Sequence, residues 1–222
     1  MSKTYAVKET FRTIQGEGHH AGTPALFIRF AGCNMWSGLD KDRDRDAAKN
    51  GAKCPLWCDT DFVDGEKTTL MDLRSVIDGQ NAVPLIVLTG GEPLLQVDDA
   101  LLTMLWNAAP EACVAIETNG TEMPRFDLTP SLLRTDPKLW ITLSPKRSRA
   151  DTRLGRANEL KLVWPSYDPT EWMNFPAQHY WLSPQAGKDY RDAGVEAALA
   201  AKITGGFRWK LSMQLHKILG VR

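Results

Sequence analysis

The sequence predicts an α/β fold of parallel strands joined by crossovers, and three observations carry that expectation. Short runs rich in apolar and β-branched residues recur along the chain, and helix-patterned segments fill most of the gaps between them. Several of the runs end in small, polar or glycine-rich groups, and the C-terminal strand ends of parallel α/β folds are where ligands collect. The strand candidates are Ala25–Phe30, Leu85–Leu88, Cys113–Glu117, Trp140–Leu143, Glu159–Trp164 and Tyr180–Leu182. Helices are expected over Leu70–Ile77, Asp98–Ala108, roughly Asp168–Asn174, and Tyr190–Lys202, where Val195, Ala198, Leu199 and Lys202 make a partly apolar stripe. The strand-end groups are Ala31-Gly32-Cys33, Thr89-Gly90-Gly91-Glu92, Thr118-Asn119-Gly120 and Ser144-Pro145-Lys146.

A chain of 222 residues is sized for one substantial core, so one domain spanning 1–222 is expected. Lysine plus arginine and aspartate plus glutamate both number 27, which excludes the broad basic face of a duplex-DNA binder. Apolar residues at 43% and charged residues at 24% exclude a largely disordered chain. Runs such as Leu85–Leu88 fall far short of the roughly 20 residues that span a bilayer, so no membrane association is expected. The opening MSKTYAVKETF has no apolar stretch of a secretory signal, which leads to the expectation of a reducing, cytoplasmic setting.

Four cysteines are too few for a disulfide scaffold, and in a reducing compartment clustered thiols more often hold metal or do chemistry. Cys33, Cys54 and Cys58 cluster, with twenty residues between the first pair and three between the second. Cys113 stands apart and reads as a small core residue. The segment 37–53 interrupts the α/β rhythm. Its five basic and four acidic residues nearly cancel, so it reads as an exposed, solvated helix or loop inserted between two cysteines. Spacing alone leaves three readings open: structural zinc, unpaired buried thiols, or a catalytic iron–sulfur cluster in which three cysteines leave one iron free for a ligand. The histidines divide similarly. His19 and His20 read as loop residues, His179 as packed or hydrogen-bonded beside Tyr180, and His216 as a site candidate.

The groups that shift this balance are Thr13-Ile14-Gln15-Gly16-Glu17-Gly18, Arg29-Phe30-Ala31-Gly32-Cys33-Asn34, Cys58-Asp59-Thr60-Asp61-Phe62, Thr89-Gly90-Gly91-Glu92-Pro93, Glu117-Thr118-Asn119-Gly120, Ser144-Pro145-Lys146, Asn158-Glu159-Leu160-Lys161, and Gln214 with His216. In this order they resemble the radical S-adenosylmethionine enzymes, and more closely the 7-carboxy-7-deazaguanine synthase family of queuosine and deazapurine biosynthesis. The sequence departs from the superfamily's cluster pattern: Ser37 stands where the second cysteine is usual, with Cys54 as its candidate replacement beyond the insertion, and the three-residue gap from Cys54 to Cys58 is one longer than usual.

The resemblance implies a modified, partial parallel (β/α) barrel of the radical S-adenosylmethionine type, with the insertion at about 37–53 in its cluster loop. It implies one 4Fe-4S cluster on Cys33, Cys54 and Cys58, S-adenosyl-L-methionine at the open iron, and Mg2+ on Thr60. The implied substrate is 6-carboxy-5,6,7,8-tetrahydropterin, which would lose ammonia to give 7-carboxy-7-deazaguanine. Ile14, Gln15, Gly16, Glu17, Arg29, Thr89 and His216 would contact that substrate, and Arg222 would close the pocket. An arginine suits a carboxylate geometrically, which favours Arg29 as the clamp. For S-adenosylmethionine the resemblance implies Trp57, Cys58 and Asp59, Gly91 and Glu92 at the methionyl amino group, and Ser144, Pro145 and Lys146. Glu159, Lys161 and the run Ser183, Pro184, Gln185 and Ala186 complete that set, with Ser183 standing where the family more often has glutamine. No protein side chain is implied as the catalyst, because the radical forms on S-adenosylmethionine. A homodimer and a flavodoxin- or ferredoxin-like electron donor are the implied partners. The competing readings are another radical enzyme, such as an activase acting on a protein glycine, and a zinc or iron–sulfur binding module.

Overall fold

A computed structural model describes residues 3–52, 58–79, 82–128, 138–185, 190–205 and 208–221. Nine strands form one sheet, and its order explains the rest of the architecture. β1 (Thr4–Ile14) runs antiparallel to β2 (Pro24–Phe30) on one side and to β3 (Glu66–Thr69) on the other. From β2 onward every pairing is parallel, through β4 (Leu85–Gly90), β5 (Cys113–Thr118), β6 (Leu139–Leu143), β7 (Glu159–Trp164), β8 (His179–Pro184) and β9 (Trp209–Leu211). Spatial order there follows chain order without reversal. Such a singly wound sheet keeps its crossovers on one face and curls towards a barrel. Among the described residues no pairing joins β9 back to β3, so the barrel is partial.

Side chains alternate between two apolar layers. Leu26, Ile28, Ile86, Leu88, Val114 and Ile116 join the outer core, where α2 (Leu70–Asp78) and α3 (Asp99–Ala108) also pack. Ala25, Leu85, Val87, Ala115 and Trp140 form a smaller inner core, against which Phe27 and Cys113 pack. Burial on both faces is why these strands read as continuous apolar runs. Following the inner parity upward, the apolar residues give way to Arg29, Thr89, Glu117, Lys161 and Ser183. The bore is therefore greasy at the N-terminal strand ends and polar at the C-terminal ends.

Two helices begin where the sequence supplies a cap. Thr69 and Asp72 close a reciprocal capping box on α2, and Asp98 caps α3 by accepting from Leu101 N at 3.0 Å. Elsewhere the structure corrects the sequence reading. β1, β3 and β9 are additional strands, and Pro169–Trp172 is a single 3-10 turn rather than a helix over 168–174. The insertion contains α1 (Arg43–Asn50), and it is not simply a solvated face: the Asp46 side chain is buried, bonded by Ser37 N at 2.9 Å. The chain continues through α4 (Tyr190–Gly205) to a C-terminal α5 (Leu215–Leu219).

Residues 15–19 cross the bore and floor its polar end. Gln15 Nε2 donates to Glu117 Oε1 of β5 at 3.0 Å, Glu17 ion-pairs with Lys161 of β7, and His19 N donates to Glu159 Oε2 at 2.8 Å. Gly18 adopts φ +68°, and a Cβ there would lie 2.6 Å from a Glu159 oxygen, so only glycine fits the crossing. Below it, His19 stacks on Trp140 at 4.6 Å and on His179 at 4.4 Å, with His20 edge-on to both His19 and Trp140. His179 thus belongs to an aromatic layer at the bottom of the bore, and His19 and His20 stand in the loop as expected, stacked there against it, with His19 exposed.

Candidate active site

The polar end of the bore encloses a cavity of about 340 Å³, within the range of small-molecule sites. Of the expected substrate residues, Ile14, Gln15, Glu17, Arg29, Thr89 and His216 line it. Gly16 lies beneath the His216 imidazole, which leaves no room for a Cβ, and Gly16 O accepts from Leu215 N at 3.0 Å. α5 is thereby seated over the floor segment. Of the expected cofactor residues, Cys58, Asp59, Gly91, Ser144 and Lys146 line the same cavity, as do Lys161, Ser183 and Pro184. Thr60 lines it beside them.

Several expected residues stand back from the cavity wall. Glu92 is fully buried, its carboxylate accepting from Thr118 Oγ1 at 2.8 Å, Asn119 N at 2.8 Å and Leu94 N at 2.9 Å. Burial pushes its pKa up to about 7 despite those three donors. Glu159 is also buried, its carboxylate taken by Thr142 Oγ1, His19 N and Trp181 Nε1 within 2.8 Å. Pro145 is buried, and Gln185 turns its side-chain oxygen towards Ser166 Oγ at 3.1 Å. Cys54, Trp57, Ala186 and Arg222 lie outside the described residues.

The electrostatics are set by paired charges. Arg29 Nε lies 3.0 Å from Glu9 Oε1, and its guanidinium sits 5.4 Å over the Phe11 ring. Burial raises the Glu17 carboxyl, but the Lys161 ammonium and the Gln214 amide more than reverse this and hold it below the usual carboxylate range. The Lys161 ammonium is correspondingly raised, since Glu17, Glu117 and Glu159 outweigh its burial. Asp59 is exposed, and the Lys217 ammonium bonded to it at 2.6 Å, with Lys146 nearby, lowers its pKa. Arg29, Lys146, Lys161 and Lys217 line the cavity with Glu17, Asp59 and Glu117, and Glu9 behind Arg29 makes four cations against four carboxylates.

The cysteine loop packs directly on this wall. Gly91 N donates to Phe30 O at 3.2 Å and Glu92 N to Gly32 O at 3.0 Å, and a Cβ on Gly91 would run into Gly32 O. The Gly-Gly-Glu turn and the loop carrying Cys33 are thus one unit. Burial, helped by the nearby Glu92 and Cys58 and opposed by the N–H groups of Met35 and Trp36, pushes the Cys33 thiol up to about 11. A thiol that resists ionisation is relieved of that cost when a metal replaces the proton, and thiolates are the ligands of iron–sulfur clusters. Among the described residues no three His, Cys, Asp or Glu side chains converge as a metal site. The two described thiols fit two ligands of a soft centre beside the cavity.

The sequence gives no role to several lining residues. Phe11 and Phe27 stack at 5.1 Å and form an apolar wall. Phe27 was findable, two positions before Arg29 on one strand face; Phe11 needed β1 to be recognised. Glu117, marked only within a strand-end group, presents a carboxylate held by Gln15 and by Thr89 Oγ1 at 3.3 Å. Lys217 and Val163 complete the wall.

A partial, singly wound parallel barrel with its ligand cavity and a cysteine loop at the C-terminal strand ends is the architecture expected of a radical S-adenosylmethionine enzyme. No family model matches the chain. It is 40% identical to the 7-carboxy-7-deazaguanine synthase of Bordetella pertussis, over 98% of this chain and 99% of that one, and 39% identical to that of Bradyrhizobium diazoefficiens, over 99% and 100%. Among solved structures, QueE from Escherichia coli superimposes with a TM-score of 0.64 at 27% identity, covering 96% of this chain and 95% of that one. The chain belongs to the 7-carboxy-7-deazaguanine synthase family.

Proposed function

We propose that this protein is a radical S-adenosylmethionine enzyme that converts 6-carboxy-5,6,7,8-tetrahydropterin to 7-carboxy-7-deazaguanine with loss of ammonia, in queuosine biosynthesis. The observation that carries this reading is one cavity shared by three kinds of group: the Cys58 segment, the cation Arg29, and a Glu117 carboxylate held by Gln15. Held by Cys33, Cys54 and Cys58, a 4Fe-4S cluster would supply the single electron for cleavage of S-adenosylmethionine to methionine and a hydrogen-abstracting 5′-deoxyadenosyl radical.

The protein's own task is to bind, orient and exclude water. Arg29 pairs with the substrate carboxylate as a two-pronged donor. Glu117 accepts from the N–H groups of the pyrimidine edge, with its orientation fixed by Gln15 and Thr89. The Phe11–Phe27 stack gives the flat ring an apolar face. Ser144, Lys146 and Ser183 on neighbouring strand ends are placed to meet S-adenosylmethionine, and Thr60 offers the hard oxygen that Mg2+ prefers. The continuous sheet from β3 to β9 supports a single domain over 1–222. A homodimer, and a flavodoxin- or ferredoxin-like donor in the cytoplasm, complete the proposal by family resemblance. Among the described residues no helix is long and apolar enough to cross a membrane.

The test is anaerobic reconstitution with iron and sulfide, then incubation with dithionite, S-adenosylmethionine, magnesium and the carboxypterin. Both 5′-deoxyadenosine and the deazapurine are expected by mass spectrometry. Deoxyadenosine without deazapurine overturns the substrate, and neither product from a reduced, intact cluster overturns the enzyme.

A further inference from the structure

We infer that Arg43, on the helix inserted between the first two cysteines, is a positioning residue that clamps the Cys33 and Cys58 arms together and biases their cluster towards its reduced state. The inference rests on the radical-enzyme reading above and adds a residue to it. Twenty residues separate Cys33 from Cys54, so short covalent spacing does not fix how the thiols meet. Closing a longer loop costs more chain entropy, and something else must hold the arms.

Arg43 touches both arms. Its guanidinium lies 4.1 Å over the ring of Trp36, three residues after Cys33, and its Nη1 donates to the Cys58 carbonyl at 2.7 Å. Trp36 is buried and packs edge-on against Phe62, four residues after Cys58. Nη2 also meets Asp40 at 2.9 Å, and that carboxylate, 90% exposed and hydrated, offsets part of the charge. The Arg43 side chain is only 20% exposed. A planar fork can stack and donate in two directions at once, which a lysine cannot.

The rest of α1 braces this contact. Asp46 accepts from Ser37 N, and Asn50 Nδ2 donates to Met35 O at 2.6 Å, so the helix grips the Cys33 arm at two further points. Arg147, just after Lys146 of the cavity wall, donates to Asn50 O. The insertion therefore ties three loops together, with Arg43 at their centre. A cation one hydrogen bond from the Cys58 backbone stabilises the added electron on sulfur ligands, because the reduced cluster carries more negative charge.

The test compares Arg43→Met and Arg43→Lys with Asp44→Asn, an exposed neighbour on the same helix. In the apo-protein, hydrogen exchange at residues 33–37 and 58–62 is expected to quicken about tenfold in Arg43→Met with the melting temperature nearly unchanged. In reconstituted protein at a fixed poise, electron paramagnetic resonance should show the reduced-to-oxidised ratio about threefold lower for Arg43→Met. Arg43→Lys should keep the ratio but not the exchange protection, and Asp44→Asn should match the parent in both. Parent-like exchange and parent-like reduction in Arg43→Met overturn the clamp, as does global unfolding of its apo form. A parent that takes up no iron overturns the radical-enzyme reading instead, and the exchange experiment still decides whether Arg43 joins the arms.

Discussion

Glu17 and Lys161 show how much of the site rests on single side chains. Their side chains are 13% and 10% exposed, so removing one strands the other's charge in a poorly hydrated place. Lys161→Met should lower stability by about 3 kcal/mol, read from urea denaturation. The pH dependence follows from the directions of the two shifts. Glu17 is lowered in the folded state, so its contribution is present above the unfolded carboxylate value of about 4.3 and is lost as pH falls through the folded one. Lys161 is raised, so its contribution is complete below about 10.4 and is lost as pH rises through its folded value. Glu17→Gln should therefore flatten the stability profile between pH 5 and 3, an outcome that denaturation midpoints across that range would check. Gly18→Ala tests the crossing that carries Glu17: with φ +68° and Glu159 2.6 Å from the new Cβ, a loss of about 2 kcal/mol is expected in the same assay. The polar residues of this site were legible because Gln15, Glu17, Arg29 and Thr89 stand in recognisable groups. Phe11 was not, since β1 was not recognised as a strand, whereas Phe27 could have been placed from Arg29, two positions on along the same strand face.

At the level of elements, the readable pieces were those with a cap or an unbroken period. Asp98 illustrates the first: besides capping α3 it accepts from Tyr5 Oη at 2.9 Å and pairs with Lys3, tying the helix to β1. Asp98→Ala should cost about 1 to 2 kcal/mol in denaturant unfolding, while Asp99→Ala in the same turn should cost far less. β1 escaped sequence reading for the opposite reason. Its pairing with β2 shifts register between Val7 and Glu9, so the inward-facing parity changes partway along and no single alternation describes it. β3 and β9 have four and three residues, too few to show a period. The insertion was legible as an interruption but not as a brace, because a polar helix usually means a solvated one. Only tertiary contacts reveal that Asp46 and Arg43 bond inward.

Across the whole molecule, the open barrel is closed from below by a layer of weak bases, which couples its stability to acid. His19, His20 and His179 share the bottom of the bore with Trp140 and Trp181, while Glu159 and Lys210 are the charged groups facing them. Burial, with repulsion from the neighbouring His19 and His179, lowers the His20 imidazole to about 4. Burial likewise lowers His179, with Glu159 opposing. The unfolded chain binds these protons near pH 6.5, before the folded one does, so stability is complete above that pH and drains as pH falls towards 4. His20 is half-buried, and screening reduces the loss at pH 5 to about 1 kcal/mol. The segment that carries His19 and His20 also carries Gln15 and Glu17, so a proton taken up below the floor loosens the cavity above it. His20→Phe keeps the edge-on packing against Trp140 without the titrating group. Its urea midpoint should fall less than the parent's between pH 7 and 5, and hydrogen-exchange protection over residues 15–20, taken against the intrinsic rate at each pH, should fall more with acid in the parent than in the variant. Parallel profiles for the two proteins would place the acid sensitivity elsewhere, with the carboxylates of the cavity as the first alternative.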